Sequence, residues 1–187
     1  MPDTTTASTN TPASSTNTPA SARDGVDVIL DQWKAARPDL DCASMGVVGR
    51  ISRASRLLER ALKDEFARHG LEPWEFDVLA TLLRSGPPYR LCAGDLSAAA
   101  MVSSAALTNR VDRLVAKGLV ERGVDPTHRR RVLIRLSDEG LRLTNQVLEA
   151  HVANETRLLA ALSGDRQDQL AGLLRALLTS LGDSGTE

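Results

Sequence analysis

The chain has 187 residues, of which 42% are hydrophobic and only 3% aromatic, and it carries 23 basic and 24 acidic side chains. This length fits one domain with additional helices, built around an aliphatic core, and the formal net charge of −1 excludes a globally basic protein. Cys42 and Cys92 lack the spacing of metal ligands, which argues against a zinc site and fits a reduced, cytoplasmic protein. With neither a secretory signal pattern nor an apolar run of about 18 residues, we expect no export and no membrane span.

The first 22 residues are mostly Thr, Ser, Ala, Asn and Pro, and the segment STNTPAS occurs twice in succession, from Ser8 and from Ser15. Without large apolar side chains such a segment cannot offset the entropy lost on ordering. We therefore predict a disordered tail over residues 1–22 and a second short one over 183–187.

An extra N-terminal helix is predicted over residues 23–38. Its apolar residues follow helical spacing, Asp24 can cap its start, and Pro38 should end it. The segment is too short to be stable alone, so we expect it to dock through Trp33.

Long amphipathic patterns occupy residues 39–72 and 137–182, and both predict helices. The second pattern ends in a stripe of leucines that fits either a core within one chain or an interface between two. We assign both segments to a dimerisation region formed by the two ends of the chain. The stripe consists of Leu170, Leu173, Leu174, Leu177, Leu178 and Leu181.

The segment 73–136 has the pattern of a winged helix-turn-helix: helices followed by two strands that enclose a basic tip. Between Ala100 and Leu136 there are eight Arg or Lys and three Asp or Glu, a local excess that suits a polyanion, although a solvated charged face would look the same. The fold class expected is mainly α with a small β-wing, assembled as a homodimer. The helices are expected at 73–85, 94–100 and 103–118, and the strands at 119–122 and 131–136.

Double-stranded DNA, as a pseudo-palindromic operator, is the expected partner of this segment. The helix that begins after Ser103 has small and polar residues at its tip, which can enter the major groove and meet base edges or phosphates. Arg129 is the first choice for minor-groove insertion, where narrow grooves concentrate negative potential. The predicted DNA-binding residues are Ser103, Ser104, Thr108, Asn109, Arg129, Arg130 and Arg131.

These motifs resemble the MarR family of winged-helix transcriptional regulators over about residues 43–181. The most specific segments are TNRVDRL (108–114), KGLVER (117–122) and RLSDEG (135–140), together with the wing from Asp125 to Arg130. The resemblance implies a sequence-specific DNA-binding regulator, with repression the expected outcome. The chain departs from the family at His128, where the wing usually carries an acid, so salt bridging within the wing should differ.

A narrower resemblance is to the urate-responsive branch of that family, which has an extra N-terminal helix bearing a tryptophan. It implies a small anionic effector, such as urate or a related aromatic or polycarboxylic acid, that lowers DNA affinity. The ligand residues it implies are Trp33, Asp77, Arg110 and Arg122. The alternative is that Asp77, expected to be buried, only forms an ion pair with Arg110 or Arg122 that stabilises the fold.

Three other classes of function compete with this interpretation. An enzyme is not expected, because the sequence has no phosphate-binding loop and no nucleophile elbow, and its histidines are scattered; no cofactor is expected either. A redox regulator would use Cys42 or Cys92, each near the start of a helix, where a thiol pKa can fall. A ligand-independent architectural DNA binder is the third.

Overall fold

The computed structural model describes residues 23–100, 103–128 and 130–183. The tail predicted over 1–22 lies outside these residues, and of the tail predicted over 183–187 only Asp183 lies within them. The helices are α1 (Gly25–Ala36), α2 (Ala43–Arg68), α3 (Pro73–Arg84), α4 (Ala93–Ala99), α5 (Ser104–Ala116), α6 (Asp138–Leu158) and α7 (Gly164–Ser180), and the strands are β1 (Arg90–Cys92), β2 (Val120–Val124) and β3 (Val132–Leu136).

The expected fold class is confirmed: the chain is mainly helical with one small antiparallel sheet. Its contacts divide it into two units, Met1–Ala54 and Ser55–Glu187. The boundary falls inside α2, so the first unit contains α1 and the beginning of α2. The second unit contains every strand and the remaining helices.

In the first unit, α1 is fixed by a capping box and by ion pairs to α2. The Asp24 side chain accepts hydrogen bonds from the amides of Val26 and Asp27, and Arg50 of α2 bonds both Asp24, at 2.9 Å, and Asp27, at 2.7 Å. The buried side chain of α1 is Val26, whereas Trp33 is 40% exposed. Within this unit Val26 is therefore the residue that packs α1 closely, and docking through Trp33 stays a prediction.

In the second unit, a single aliphatic and aromatic core joins α3, α4, α5, the sheet and α6. Apolar positions repeat at helical spacing along α3 and α5, so each helix buries one face. The core consists of Phe66, Leu71, Phe76, Val78, Leu79, Leu82, Leu96, Leu107, Val111, Leu114, Leu119, Val120, Ile134, Leu136 and Val147.

The sheet has the strand order β1-β3-β2, and both pairs are antiparallel. Arg122 of β2 lies opposite Ile134 of β3, which is buried. Because side chains alternate between the two faces of a strand, Arg122 shares the core-facing side of the sheet with Ile134. Its neighbour Glu121 lies on the outer side and pairs with Arg135 at 2.8 Å.

The first turn of α6 packs directly on the start of the wing. Ser137 caps α6, donates its hydroxyl to the carbonyl oxygen of Gly118 at 2.7 Å, and accepts a hydrogen bond from the amide of Gly140. A Cβ placed on Gly140 would lie 1.9 Å from the carbonyl oxygen of Leu119. Only glycine therefore allows this approach of helix and strand.

Apolar side chains of the segments assigned to dimerisation are exposed in the single chain. Met45 is 43%, Val48 66% and Leu58 38% exposed, and α7 buries none of its residues. These faces are available to another chain. None of the described helices is both long and apolar enough to cross a membrane.

Candidate DNA interface and effector clefts

Helix α5 presents a polar and small-residue face to solvent at the end that was predicted to read DNA. Ser103 is its N-cap, and its hydroxyl oxygen accepts a hydrogen bond from the Ala106 amide at 3.3 Å. Ser104 is the first residue of the helix, and Thr108 and Asn109 lie exposed in its next turns. Leu107, Val111 and Leu114 on the opposite side are buried, which fixes the orientation of the exposed face.

The wing between β2 and β3 is closed by hydrogen bonds around Asp125. Its carboxylate accepts from the amide and the hydroxyl of Thr127, at 2.8 and 2.7 Å, and these bonds hold the pKa of Asp125 below its ordinary value. The Thr127 hydroxyl oxygen also lies 2.9 Å from Nδ1 of His128. Because that hydroxyl donates to Asp125, the ring nitrogen is the donor to it.

His128 therefore joins the wing through a hydrogen bond to Thr127. Arg130 and Arg131 are exposed beside it, and the backbone of Arg131 is fixed by hydrogen bonds to His128 and Asp125. Arg129, the first choice for minor-groove insertion, lies outside the described residues.

Trp74 of α3 lies against two arginines of α5. The guanidinium carbon of Arg113 is 4.8 Å from the centre of its ring, and that of Arg110 is 5.5 Å away. Such cation–π contacts stabilise by about 0.5–1 kcal/mol each at accessible sites. The sequence analysis did not identify Trp74 as part of the site, because its contacts with Arg110 and Arg113 join α3 to α5 across more than 30 residues of chain.

Asp77 lines a cleft of about 520 Å³ between α2, α3 and α6. It is exposed, which corrects the expectation of a buried aspartate. Partial loss of water around the carboxylate raises the pKa of Asp77 above its ordinary value, while attraction by Arg110, Arg84 and His151 opposes the rise. The cleft also contains Glu59, Lys63, Phe66, Phe76 and Glu155.

We expect Asp77→Asn to stabilise the folded chain at neutral pH. A carboxyl with a raised pKa binds its proton more tightly in the folded state, so wild-type stability falls as pH rises through that pKa and stays lower above it. The gain should shrink as the pH approaches about 4, where the unfolded carboxyl also binds its proton. Melting temperatures of the variant and wild type from about pH 4 to pH 8 measure this difference.

The matched control for this prediction is Asp64→Asn, at an exposed aspartate of α2 outside the cleft. A stability difference for Asp77→Asn that grows toward low pH would contradict the assignment of a raised pKa.

Arg122 lies in a different cleft and pairs with a different acid from the one expected. Its Nη1 is 2.9 Å from Oδ1 of Asp112 on α5. The cleft, of about 280 Å³, lies between α4, α5 and the sheet, and among the described residues Arg122 is the only charged one that lines it. The other lining residues are Ala93, Gly94, Leu107, Thr108, Val111, Val132 and Ile134.

In the second unit, the three ligand residues implied by the resemblance that belong to it lie at two separate positions. Asp77 and Arg110 interact electrostatically, and Arg122 is held at the second cleft by Asp112. Trp33 belongs to the first unit. Its part in the ligand set rests on the resemblance alone.

The two cysteines are free and half-buried. Cys92 is the N-cap of α4, and its sulfur accepts a hydrogen bond from the Asp95 amide at 3.4 Å. Within the described residues, no group of His, Cys, Asp or Glu is arranged to hold a metal ion.

Comparison with known proteins identifies this architecture. A sequence profile of the MarR family matches residues 69–131. The transcriptional regulator PecS of Dickeya dadantii is 42% identical over 149 residues, which are 80% of this chain and 90% of that protein. This chain belongs to the MarR family.

Solved structures of MarR-family proteins agree. A cysteine-to-serine variant of MarR from E. coli, complexed with operator DNA, has a TM-score of 0.63 and 26% identity over 73% of this chain and 97% of its own. A MarR family regulator from Streptomyces coelicolor, in complex with DNA, has a TM-score of 0.68 and 25% identity over 78% of this chain and 91% of its own. This MarR-family protein is a DNA-binding transcriptional regulator and not an enzyme.

Proposed function

We propose that this MarR-family protein is a repressor that binds a pseudo-palindromic operator as a homodimer and releases it when a small anion binds. Urate and related aromatic or polycarboxylic acids are the anions proposed, with Trp33, Asp77, Arg110 and Arg122 as ligand residues. The observation that carries the proposal is the position of Arg122, which lines an apolar cleft and is paired with an acid of the recognition helix α5.

The cleft at Arg122 suits a small planar anion. A guanidinium offers a flat array of donors that fits a carboxylate or a similar anion, and the aliphatic walls accept an apolar ring. With about 280 Å³ the cleft is near the lower limit of small-molecule sites. An anion bound here competes with Asp112 for Arg122. Without that cation, Asp112 adds an uncompensated negative charge to the helix that is proposed to enter DNA.

The pair of Asp77 and Arg110 also supports release of DNA when an anion binds. The cleft at Asp77 is rich in acids, with Glu59 and Glu155 beside it, and Lys63 is the only lysine or arginine among its described lining residues. In this proposal Arg110 attracts the charge of the anion, and the carboxylate of Asp77 accepts a hydrogen bond from an N–H or O–H group of the same molecule. Because Arg110 belongs to α5, recruiting its guanidinium changes the contacts that hold the recognition helix.

The proposal predicts that the effector weakens DNA binding through Arg122. We expect urate, or another small aromatic or polycarboxylic acid, to lower the affinity for a duplex selected by the wild-type protein by about 5–150-fold, the usual range of coupling between two sites. In Arg122→Ala that factor should fall toward one. Fluorescence anisotropy titrations with and without the anion measure it.

The control for this experiment is Arg142→Ala, which removes an exposed arginine of α6 that pairs with Glu139 away from both clefts. The readout is the coupling factor and not the affinity itself, because the loss of Arg122 also leaves Asp112 unpaired. If no such anion changes DNA affinity in the wild type, the effector proposal fails while the DNA-binding function stands.

The wing supplies a separate prediction. Arg129→Ala is expected to lower DNA affinity and to reduce the slope of log affinity against log salt by about one for each wing bound, because one phosphate-neutralising cation is lost. Titrations at several salt concentrations, with Arg142→Ala as a charge-matched control, measure both quantities. An unchanged affinity and slope would exclude Arg129 from the interface.

The homodimer is supported by the apolar faces left exposed in the single chain. Leu173 and Leu181 of the C-terminal stripe are 65% and 75% exposed, which is costly in water unless another chain covers them. A two-fold dimer would present two copies of α5 and of the wing, and this symmetry is why a pseudo-palindromic operator is proposed.

A further inference from the structure

The most buried charged side chain in the described part of the chain is Glu75, in the first turn of α3. Its exposed fraction is 0%, and its oxygen Oε1 has no hydrogen-bond partner. The other oxygen, Oε2, accepts from the amide of Glu72 at 2.9 Å and from Nζ of Lys117 at 2.6 Å. A carboxylate withdrawn from water with one oxygen unsatisfied is costly.

Lys117 connects Glu75 to the recognition helix. It is the C-cap residue of α5, and its ammonium also donates to the carbonyl oxygen of Gly70 at 3.2 Å. Gly70 lies in the turn between α2 and α3. One ammonium group thus holds the end of α5 against the end of α2 and the start of α3.

Stability alone does not require this ion pair. Buried ion pairs are often replaced by apolar side chains of similar size without loss of stability, because their attraction barely offsets the loss of hydration. An ion pair fixes the direction and the distance between two points of the backbone, and an apolar contact does not.

The end of α5 held by Lys117 is opposite to the end that enters DNA. The helix has 13 residues and is therefore about 20 Å long at 1.5 Å per residue. A tilt of about 5° at Lys117 would displace its N-terminal tip by about 1.7 Å, more than half the length of a hydrogen bond. Base-edge hydrogen bonds do not survive such a displacement, whereas contacts to phosphates by long, flexible side chains do.

We propose that Glu75 and Lys117 are positioning residues that form the pivot of the recognition helix and set its angle in the major groove. The pair contacts no DNA itself. It determines sequence-specific affinity through the position of residues such as Thr108 and Asn109 at the far end of α5. The proposal depends only on DNA binding and not on the proposed effector.

The test is the double variant Glu75→Leu with Lys117→Met, which removes both charges together. The backbone groups that lose a side-chain partner are the amide of Glu72 and the carbonyl oxygen of Gly70, and both residues are exposed to water. The melting temperature of the double variant should stay close to that of the wild type. Its affinity for a duplex selected by the wild-type protein from a random-sequence pool should fall about tenfold or more, the loss typical of one disturbed base contact. Its affinity for a scrambled duplex and its salt slope should not change.

Each other result overturns the proposal. An unchanged affinity for the selected duplex would mean that the pair only holds the fold together. A salt slope lowered by about one per bound protomer would mean that Lys117 contacts a phosphate directly. The matched control, Glu139→Leu with Arg142→Met, removes an exposed ion pair of α6 and should leave both affinities unchanged.

A second variant keeps the test decisive if the double variant does not fold. Glu75→Gln preserves the shape of the side chain and an acceptor oxygen for Lys117 but removes the negative charge. The same two affinities and the same salt slope are measured. Loss of discrimination between the selected and the scrambled duplex supports the pivot, and full discrimination overturns it.

Discussion

Gly140→Ala is expected to lower the free energy of unfolding by about 3 kcal/mol, at the upper end of the usual cost of overpacking. The added methyl carbon would lie 1.9 Å from the carbonyl oxygen of Leu119. The obstacle is backbone, so no side-chain rotation relieves it. Either α6 must move away from the wing or Leu119 must leave the position from which its carbonyl accepts the amide of Ser137.

Thermal and denaturant unfolding measure this loss. For a chain of this size, about 3 kcal/mol corresponds to a fall of roughly 6–12 °C in melting temperature. Gly164→Ala is the matched control, because Gly164 also lies in the first turn of a helix but a Cβ there would meet nothing within 4 Å. If Gly140→Ala is as stable as this control, the contact between α6 and the start of the wing can rearrange at no cost, which would contradict the prediction.

The second large effect is expected from Leu173→Glu. Leu173 is 65% exposed in the single chain, so a charge there costs little within one protomer. In a two-fold dimer that covers α7 the substitution occurs twice, and each carboxylate would lose its hydration. We expect the dimer to be weakened by about 3 kcal/mol or more, over a hundredfold in its dissociation constant.

Sedimentation velocity over a range of protein concentrations measures the dissociation constant, and a DNA titration measures the consequence for the operator. The control is Thr179→Glu, which places the same charge on the exposed opposite face of α7. Unchanged assembly of Leu173→Glu would place the dimer interface elsewhere. Loss of assembly without loss of melting cooperativity would separate the interface from the fold of the protomer.

The helices and the wing could be predicted from the sequence because the residue patterns that indicate them lie within short segments of the chain. Apolar spacing gave α3 and α5 their buried faces, and Ser103 and Ser137 marked helix starts through the hydrogen bonds that a hydroxyl accepts there. Gly70 and Gly118 follow the ends of α2 and α5, and both have φ of +70°, a conformation that favours glycine. These features depend on neighbours within about four residues.

The partners of charged side chains could not be predicted in the same way. Arg122 was expected near Asp77, yet it pairs with Asp112, because the register of β2 against α5 decides which acid it meets. Glu75 was not singled out at all, although it is fully buried, because its partner Lys117 is 42 residues away along the chain. Such ion pairs depend on how whole helices and strands pack against one another, and this packing cannot be read from the spacing of residues in the sequence.

The stacking of Arg110 and Arg113 on Trp74 gives this protein a built-in optical probe. Indole emission responds to the distance of nearby cations, and both cations here belong to the recognition helix. The chain contains only two tryptophans, so replacing Trp33 by phenylalanine leaves Trp74 as the sole emitter. The angle of α5 can then be followed in solution in real time, without an attached dye, as DNA is added.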